Sequence, residues 1–159
     1  MSRQPRILIV DDEAPIRALL GEYLHQAGYE VALAQSGSEA MDLLARHSFD
    51  LVMSDVRMPG MNGLELLTEI VGGHPTVGVL MLTACEDLTL AVNAMRIGAL
   101  DYILKPFRLT EVVQSLEEAL KRKQNMLEQE KRLELLEATV NERTIELRKM
   151  LEQIGRAHV

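Results

Sequence analysis

Five short apolar runs separated by stretches of helical periodicity constrain this 159-residue chain more than any other feature. The runs are Ile7–Val10, Tyr29–Ala34, Asp50–Ser54, Val77–Thr83 and Tyr102–Leu104. Each is short, rich in Val, Ile, Leu or Met, and bounded by residues that turn the chain. Near-continuous apolar runs of this kind suit strands buried on both faces, as in a parallel sheet. Between them, Ile16, Leu19, Leu20 and Leu24 show helical spacing up to Gly28. Ser36 and Glu39 offer a capping box for a second helix ending near Ser48. A third helix is expected over Leu64–Val71, stopping at Gly72, Gly73 and Pro75, and a fourth from about Leu88 to Ile97 with Gly98 as its stop. A fifth begins near Leu109. Strand and helix in strict alternation predict an α/β fold, a doubly wound parallel sheet with right-handed crossovers.

Four of the strands end on residues of one chemical character. The first runs into Asp11 and Asp12, the third into Asp55, the fourth ends at Thr83 and the fifth at Lys105-Pro106. Ligands of open α/β sheets collect outside the carboxyl ends of the strands, so three carboxylates, a hydroxyl and an ammonium are expected on one rim. One Asp after a strand needs no more explanation than helix capping. Two beside a third carboxylate are costly unless a cation offsets them, and a hard divalent ion with oxygen ligands, Mg²⁺, fits. Asp55 beside such an ion is a candidate nucleophile toward a phosphoryl group. Thr83 offers a hydroxyl to a phosphoryl oxygen, although a β-branched residue also suits a strand for packing alone. Lys105, fixed in direction by Pro106, offers a point charge opposite the metal. Tyr102 is expected to be half buried.

Apolar residues make up 47% of the chain and aromatics 3%, leaving core packing to aliphatic side chains and Met. The net charge of -7 is uneven. Residues 121–159 hold nine Lys/Arg against seven Glu, while residues 1–120 hold eight against seventeen Asp/Glu. An acidic globule lacks the clustered positive charge that phosphate backbones require, so no direct nucleic-acid binding is expected. The single cysteine, Cys85, excludes an internal disulfide, suits a reducing cytoplasm and reads as a packing or site-rim residue. No apolar run is long enough for a membrane span. His25, His47, His74 and His158 are scattered and suggest no metal site.

From Phe107 to Ile154 there is neither Gly nor Pro, a run of 48 residues. Acid-first pairs four apart (Glu117–Lys121, Glu118–Arg122, Glu128–Arg132 and Glu152–Arg156) support a continuous helix there. Such a helix would reach roughly 70 Å and extend past a globule. Met126, Leu133, Val140, Leu147 and Ile154 recur every seven residues, with Gln129, Leu136, Arg143 and Met150 three positions later. A solvated single helix of that length is marginal in water. The heptads predict a two-stranded coiled coil, its second row weakened by Gln129 and Arg143.

The strings LIVDDEAP, DLVMSDVRMPGMNG, VLMLTACE and DYILKPF resemble the receiver domain of two-component response regulators. The resemblance spans residues 5–122, with a helical linker over 123–155 and a tail at 156–159. It implies a flavodoxin-like sheet of order 2-1-3-4-5, with Asp55 accepting a phosphoryl group from a cognate histidine kinase or phosphotransfer protein. It implies Mg²⁺ held by Asp12, Asp55 and the backbone carbonyl of Arg57, with Asp11 acting through water. Thr83 and Lys105 would bind the phosphoryl group, and Lys105-Pro106 would be cis. Thr83 and Tyr102 would switch the face built by the fourth helix, fifth strand and fifth helix. Such a domain catalyses only its own phosphorylation and dephosphorylation.

A haloacid-dehalogenase-type aspartyl-phosphate hydrolase would need an Asp-x-Asp string after the first strand. Here the first strand has adjacent acids, and Asp55 is followed two positions on by Arg57. A coiled-coil spacer with a decayed receiver is opposed by the intact acids, Thr83 and Lys105. An output domain is expected after residue 159, since NERTIELRKMLEQIGRA resembles the connector before HD-GYP cyclic-dinucleotide phosphodiesterase domains.

Overall fold

A computed structural model describes residues 3–157, apart from the side chains of Cys85 and Ala157. The expectations for Cys85 and His158 thus lie outside the described residues. In chain order the elements are β1 (Arg6–Val10), α1 (Ala14–Gln26), β2 (Glu30–Ala34), α2 (Gly37–Arg46) and β3 (Leu51–Asp55). Then come α3 (Gly63–Gly73), β4 (Gly78–Ala84), a 3₁₀ turn (Cys85–Asp87), α4 (Leu88–Ile97), β5 (Asp101–Lys105) and α5 (Leu109–Ala157). All strand pairs are parallel and the sheet order is β2-β1-β3-β4-β5. The expected flavodoxin-like order is the observed one.

The sheet is buried on both faces because its strands alternate between two apolar clusters, as the two-residue strand period demands. Leu8, Val10, Val52, Val79 and Met81 face one way and meet Ala40, Leu44, Leu66, Leu67, Ile70 and Ala94 of α2, α3 and α4. Ile7, Ile9, Leu51, Met53, Leu80 and Leu82 face the other way and meet Leu20 and Leu24 of α1 and Val112, Leu116 and Ala119 of α5. Removing this aliphatic surface from water is the main force holding the sheet and its helices together.

Local chemistry sets the boundaries. Ser36 Oγ accepts the Glu39 N–H at 3.1 Å, the expected start of α2, and Asn62 does the same for α3 through the Glu65 N–H at 2.9 Å. As expected, α3 ends at its glycines, with Gly73 its last helical residue. Its cap is His74, the residue that the expected Pro75 bars from helical geometry. The chain divides into two compact units after Lys123. In the first, the expected pairs Glu117–Lys121 and Glu118–Arg122 do not close. Arg122 instead donates to the Leu100 carbonyl at 2.9 Å and lies 3.8 Å from Asp101. A backbone partner competes easily with an exposed ion pair, which is worth little in water.

The second unit is helical throughout its described residues, continuing α5 through Gly155 to Ala157. Its residues are exposed, Met126, Leu133, Leu136, Val140, Leu147, Met150 and Ile154 included, except for a half-buried Leu127. Among the described residues no helix is long and apolar enough to cross a membrane.

Candidate functional site

Parallel register places the relevant side chains on one rim. Val10 pairs with Ser54, Asp55 with Leu82, Thr83 with Leu104 and Ala84 with Lys105. The carboxyl ends of β1, β3, β4 and β5 therefore lie side by side. Asp11, Asp12 and Asp55 converge there, each offering an oxygen within 4.8 Å of the others. Lys105 Nζ donates to Asp55 Oδ2 at 3.0 Å and stands 3.7 Å from Asp11 Oδ2. Lys105-Pro106 is cis.

The electrostatics of this rim are unbalanced. Asp11 is fully buried, and its Oδ1 accepts the Glu13 N–H at 2.9 Å. Its Oδ2 is buried and accepts no hydrogen bond. Burial raises the Asp11 carboxyl above its ordinary range, an effect that the Glu13 N–H and the Lys105 charge only partly oppose. Burial also acts on Lys105, in the downward direction, but the hydrogen bond to Asp55 and the charges of Asp55 and Asp11 outweigh it. The ammonium is left above its usual value. Lys105 thus stands against two of the three acids, Asp55 and Asp11, and one buried Asp11 oxygen accepts no hydrogen bond. A donor set of carboxylate oxygens with an unmet buried acceptor fits a hard divalent cation.

The remaining candidates are placed differently. Thr83 is buried, and its hydroxyl donates to its neighbour's carbonyl, Ala84 O, at 3.4 Å rather than to a site carboxylate. Tyr102 is half buried on the cluster that includes Ala94 and Ala99, on the side of α4. The Arg57 N–H lies 3.4 Å from Asp55 Oδ1, and Arg57 lines a cleft with Asp12, Met58, Asn62 and Leu90.

Two features escaped the sequence reading. Gly63 donates its N–H to Val56 O at 2.8 Å, and a Cβ on it would fall 2.2 Å from the Asp55 carbonyl oxygen. Glycine is thus required for α3 to start directly behind Asp55. The Asn62-Gly63 pair in the turn-rich loop was the available signal. The second is an ion pair between Arg57 and Asp87, 30 positions apart, which no local pattern announces.

Comparison with known proteins decides the family. Residues 7–117 match the response regulator receiver domain, well over half of the chain. The chain belongs to the response regulator receiver family. It is 43% identical over 112 residues to the DNA-binding transcriptional regulator NtrC of Klebsiella pneumoniae, covering 70% of this chain and 24% of that protein. Among solved structures, it resembles the receiver domain of NtrX from Brucella abortus at 36% identity and a TM-score of 0.70. That match covers 72% of this chain and 98% of the other. The signal receiver domain of an HD domain-containing protein from Pseudomonas fluorescens Pf-5 gives 32% identity, a TM-score of 0.73, and coverage of 77% and 99%. The chain spans about a quarter of the length of the curated relatives it matches. As a receiver domain of a two-component response regulator it is a signalling domain, with an acidic pocket of the kind in which receivers bind Mg²⁺.

Proposed function

We propose that Asp55 is the phosphoacceptor of this receiver and takes its phosphoryl group from a phosphohistidine of a histidine kinase. The observation that carries this reading is the convergence of Asp11, Asp12 and Asp55 with Lys105 held 3.0 Å from Asp55 Oδ2. An Asp55 carboxylate oxygen forms the new O–P bond as the N–P bond of the donor breaks, and the departing imidazole takes up a proton. Lys105, kept charged by its acidic neighbours, offsets negative charge on the transferred group. Thr83 lies at the adjacent strand end, where its hydroxyl can turn from Ala84 O to a phosphoryl oxygen.

Asp12, Asp55 and the main-chain carbonyl of Arg57 would hold Mg²⁺, with Asp11 contributing through water. The fit rests on the unpartnered, buried Asp11 oxygen and the all-carboxylate donor set. When bound, the ion neutralises acidic charge that would otherwise repel an incoming phosphate.

The readout belongs to Thr83, Tyr102 and the face of α4, β5 and α5. Leu88, Val92 and Met95 leave apolar surface of α4 open to solvent, where a partner is able to bind. Residues 5–122 form the receiver, residues 123–155 the linker helix that dimerises through its heptads, and residues 156–159 a tail. The setting is cytoplasmic, and the catalysis extends only to the domain's own phosphorylation and dephosphorylation.

Incubation with acetyl phosphate and Mg²⁺ tests the reading. A switch accumulates a phosphoryl adduct sensitive to hydroxylamine, and a hydrolase releases phosphate continuously. A protein that does neither is not a phosphoacceptor.

A further inference from the structure

Arg57 and Asp87 lie outside the acidic trio, yet their ion pair ties together the two loops that flank it. Arg57 Nε donates to Asp87 Oδ2 at 2.7 Å, and Nη2 donates to Oδ1 of the same carboxylate. This two-pronged fork is the geometry in which arginine holds an anion best. The partners are unequally placed. The Arg57 side chain is 72% exposed and that of Asp87 only 5%. Arg57 stands two residues past Asp55, whereas Asp87 stands four past Thr83.

A second observation concerns a bond that Asp87 does not make. It occupies the N-cap position of α4, but its side chain caps no backbone N–H. Asp is among the residues best suited to that task. The fork of Arg57 engages both carboxylate oxygens and draws the carboxyl below its ordinary range. Asp87, the last residue of the 3₁₀ turn that leads into α4, therefore has two competing partners, Arg57 and the N-terminus of its own helix.

We infer that Arg57 and Asp87 form a charge-exchange latch. Before phosphorylation, Arg57 holds Asp87 away from the start of α4. When Asp55 carries a phosphoryl group, that dianion captures the exposed guanidinium, and the freed Asp87 caps α4. A phosphoryl group adds roughly -1.5 to -2 charges and three acceptor oxygens beside Arg57, so it competes well with one carboxylate. The released carboxylate meets the first N–H groups and positive dipole end of α4, once Asp87 turns from φ −103°, ψ 23° to the extended backbone of a capping residue. Arg57 is thus a positioning residue that couples the acceptor to α4. This inference rests on the phosphoacceptor reading for its trigger, not for the exchange itself.

The test uses the full chain as wild type, Asp87→Asn, Arg57→Gln and the double variant. Amide hydrogen exchange at Thr89 and Leu90 is read with no donor present, and phosphorylation by acetyl phosphate with Mg²⁺ is then followed by intact mass. Asn caps as well as Asp but cannot pair ionically with Arg57. Asp87→Asn is expected to protect one of these two amides before any donor is added. It is also expected to speed phosphoryl uptake by about fivefold. In the Arg57→Gln background the same substitution is expected to give no gain. An unchanged amide, a rate indistinguishable from wild type, or an equal gain without Arg57 would overturn the latch. Arg57→Lys leaves both carboxylates untouched and replaces the fork by a point charge, covering the case of a misfolded Asp87→Asn. Partial protection of Thr89 or Leu90 supports the latch and none overturns it. A wild type that takes up no phosphoryl group while Asp87→Asn protects the amide overturns the phosphoacceptor reading and leaves the exchange standing.

Discussion

The two compact units meet one physical demand in opposite ways. Val112, Leu116 and Ala119 on α5 are buried against the sheet, whereas Met126, Leu133, Val140, Leu147 and Ile154 on the same helix are each more than half exposed. Val112, Ala119 and Met126 even share the seven-residue spacing of the later row. One apolar pattern therefore has two fates. Within the receiver the pattern is buried against the sheet, and among the described residues beyond Lys123 the same pattern is exposed. A helix of that kind draws little stability from propensity alone and depends on tertiary or quaternary packing.

Substitutions can break that contrast at its strongest point. Gly63→Ala places a methyl group where the Asp55 carbonyl stands, so the receiver is expected to lose about 4 kcal/mol or more and its site geometry with it. Chemical denaturation with acetyl-phosphate labelling would show both losses. Leu116→Ala empties a fully buried position and is expected to cost about 2–5 kcal/mol in the receiver transition. Leu133→Ala, on the exposed row, is expected to leave that transition unchanged and to weaken self-association in sedimentation equilibrium. A fall in receiver stability for Leu133→Ala would mean the two units are not independent.

Electrostatic changes sharpen the contrast by smaller amounts. Mg²⁺ at a hundred times its dissociation constant is expected to stabilise the receiver by about 2.7 kcal/mol and to leave the helix of the second unit unaffected. Thermal unfolding followed by circular dichroism checks this. Asp11 gives a pH dependence of known sign. Its folded pKa is raised above 3.8 by burial, so its contribution favours folding below 3.8 and is lost as pH rises through the raised value. Asp11→Asn is therefore expected to gain roughly 1 kcal/mol at neutral pH in the absence of metal and to flatten that part of the stability profile. The same variant is expected to lose part of the Mg²⁺ effect. In the helix, Arg143→Leu repairs the broken heptad row and is expected to tighten self-association, with no change in phosphoryl uptake.

Much of this architecture was legible in the residues because the signals were local. Apolar runs, helical spacing and Ser36 before Glu39 mark the elements, and the parallel order follows from their alternation. Asp11, Asp12, Asp55, Thr83 and Lys105 were visible as strand ends, and the structure brings the three acids and the lysine into one cluster. The failures were non-local or weak in energy. The pair expected between Glu118 and Arg122 gave way to a backbone carbonyl at Leu100. The Arg57–Asp87 contact joins two loops through tertiary packing, and neither residue advertises it alone. The need for glycine at position 63 depends on how closely α3 approaches β3, which composition does not encode.

Peptide-level mass mapping after treatment with acetyl phosphate and Mg²⁺, on wild type and Asp55→Asn, tests the central claim most directly. The account predicts one phosphoryl group, sensitive to hydroxylamine, on the wild-type peptide containing Asp55 and none on the variant. An unlabelled wild type, or an adduct that persists when Asp55 is replaced, would contradict it.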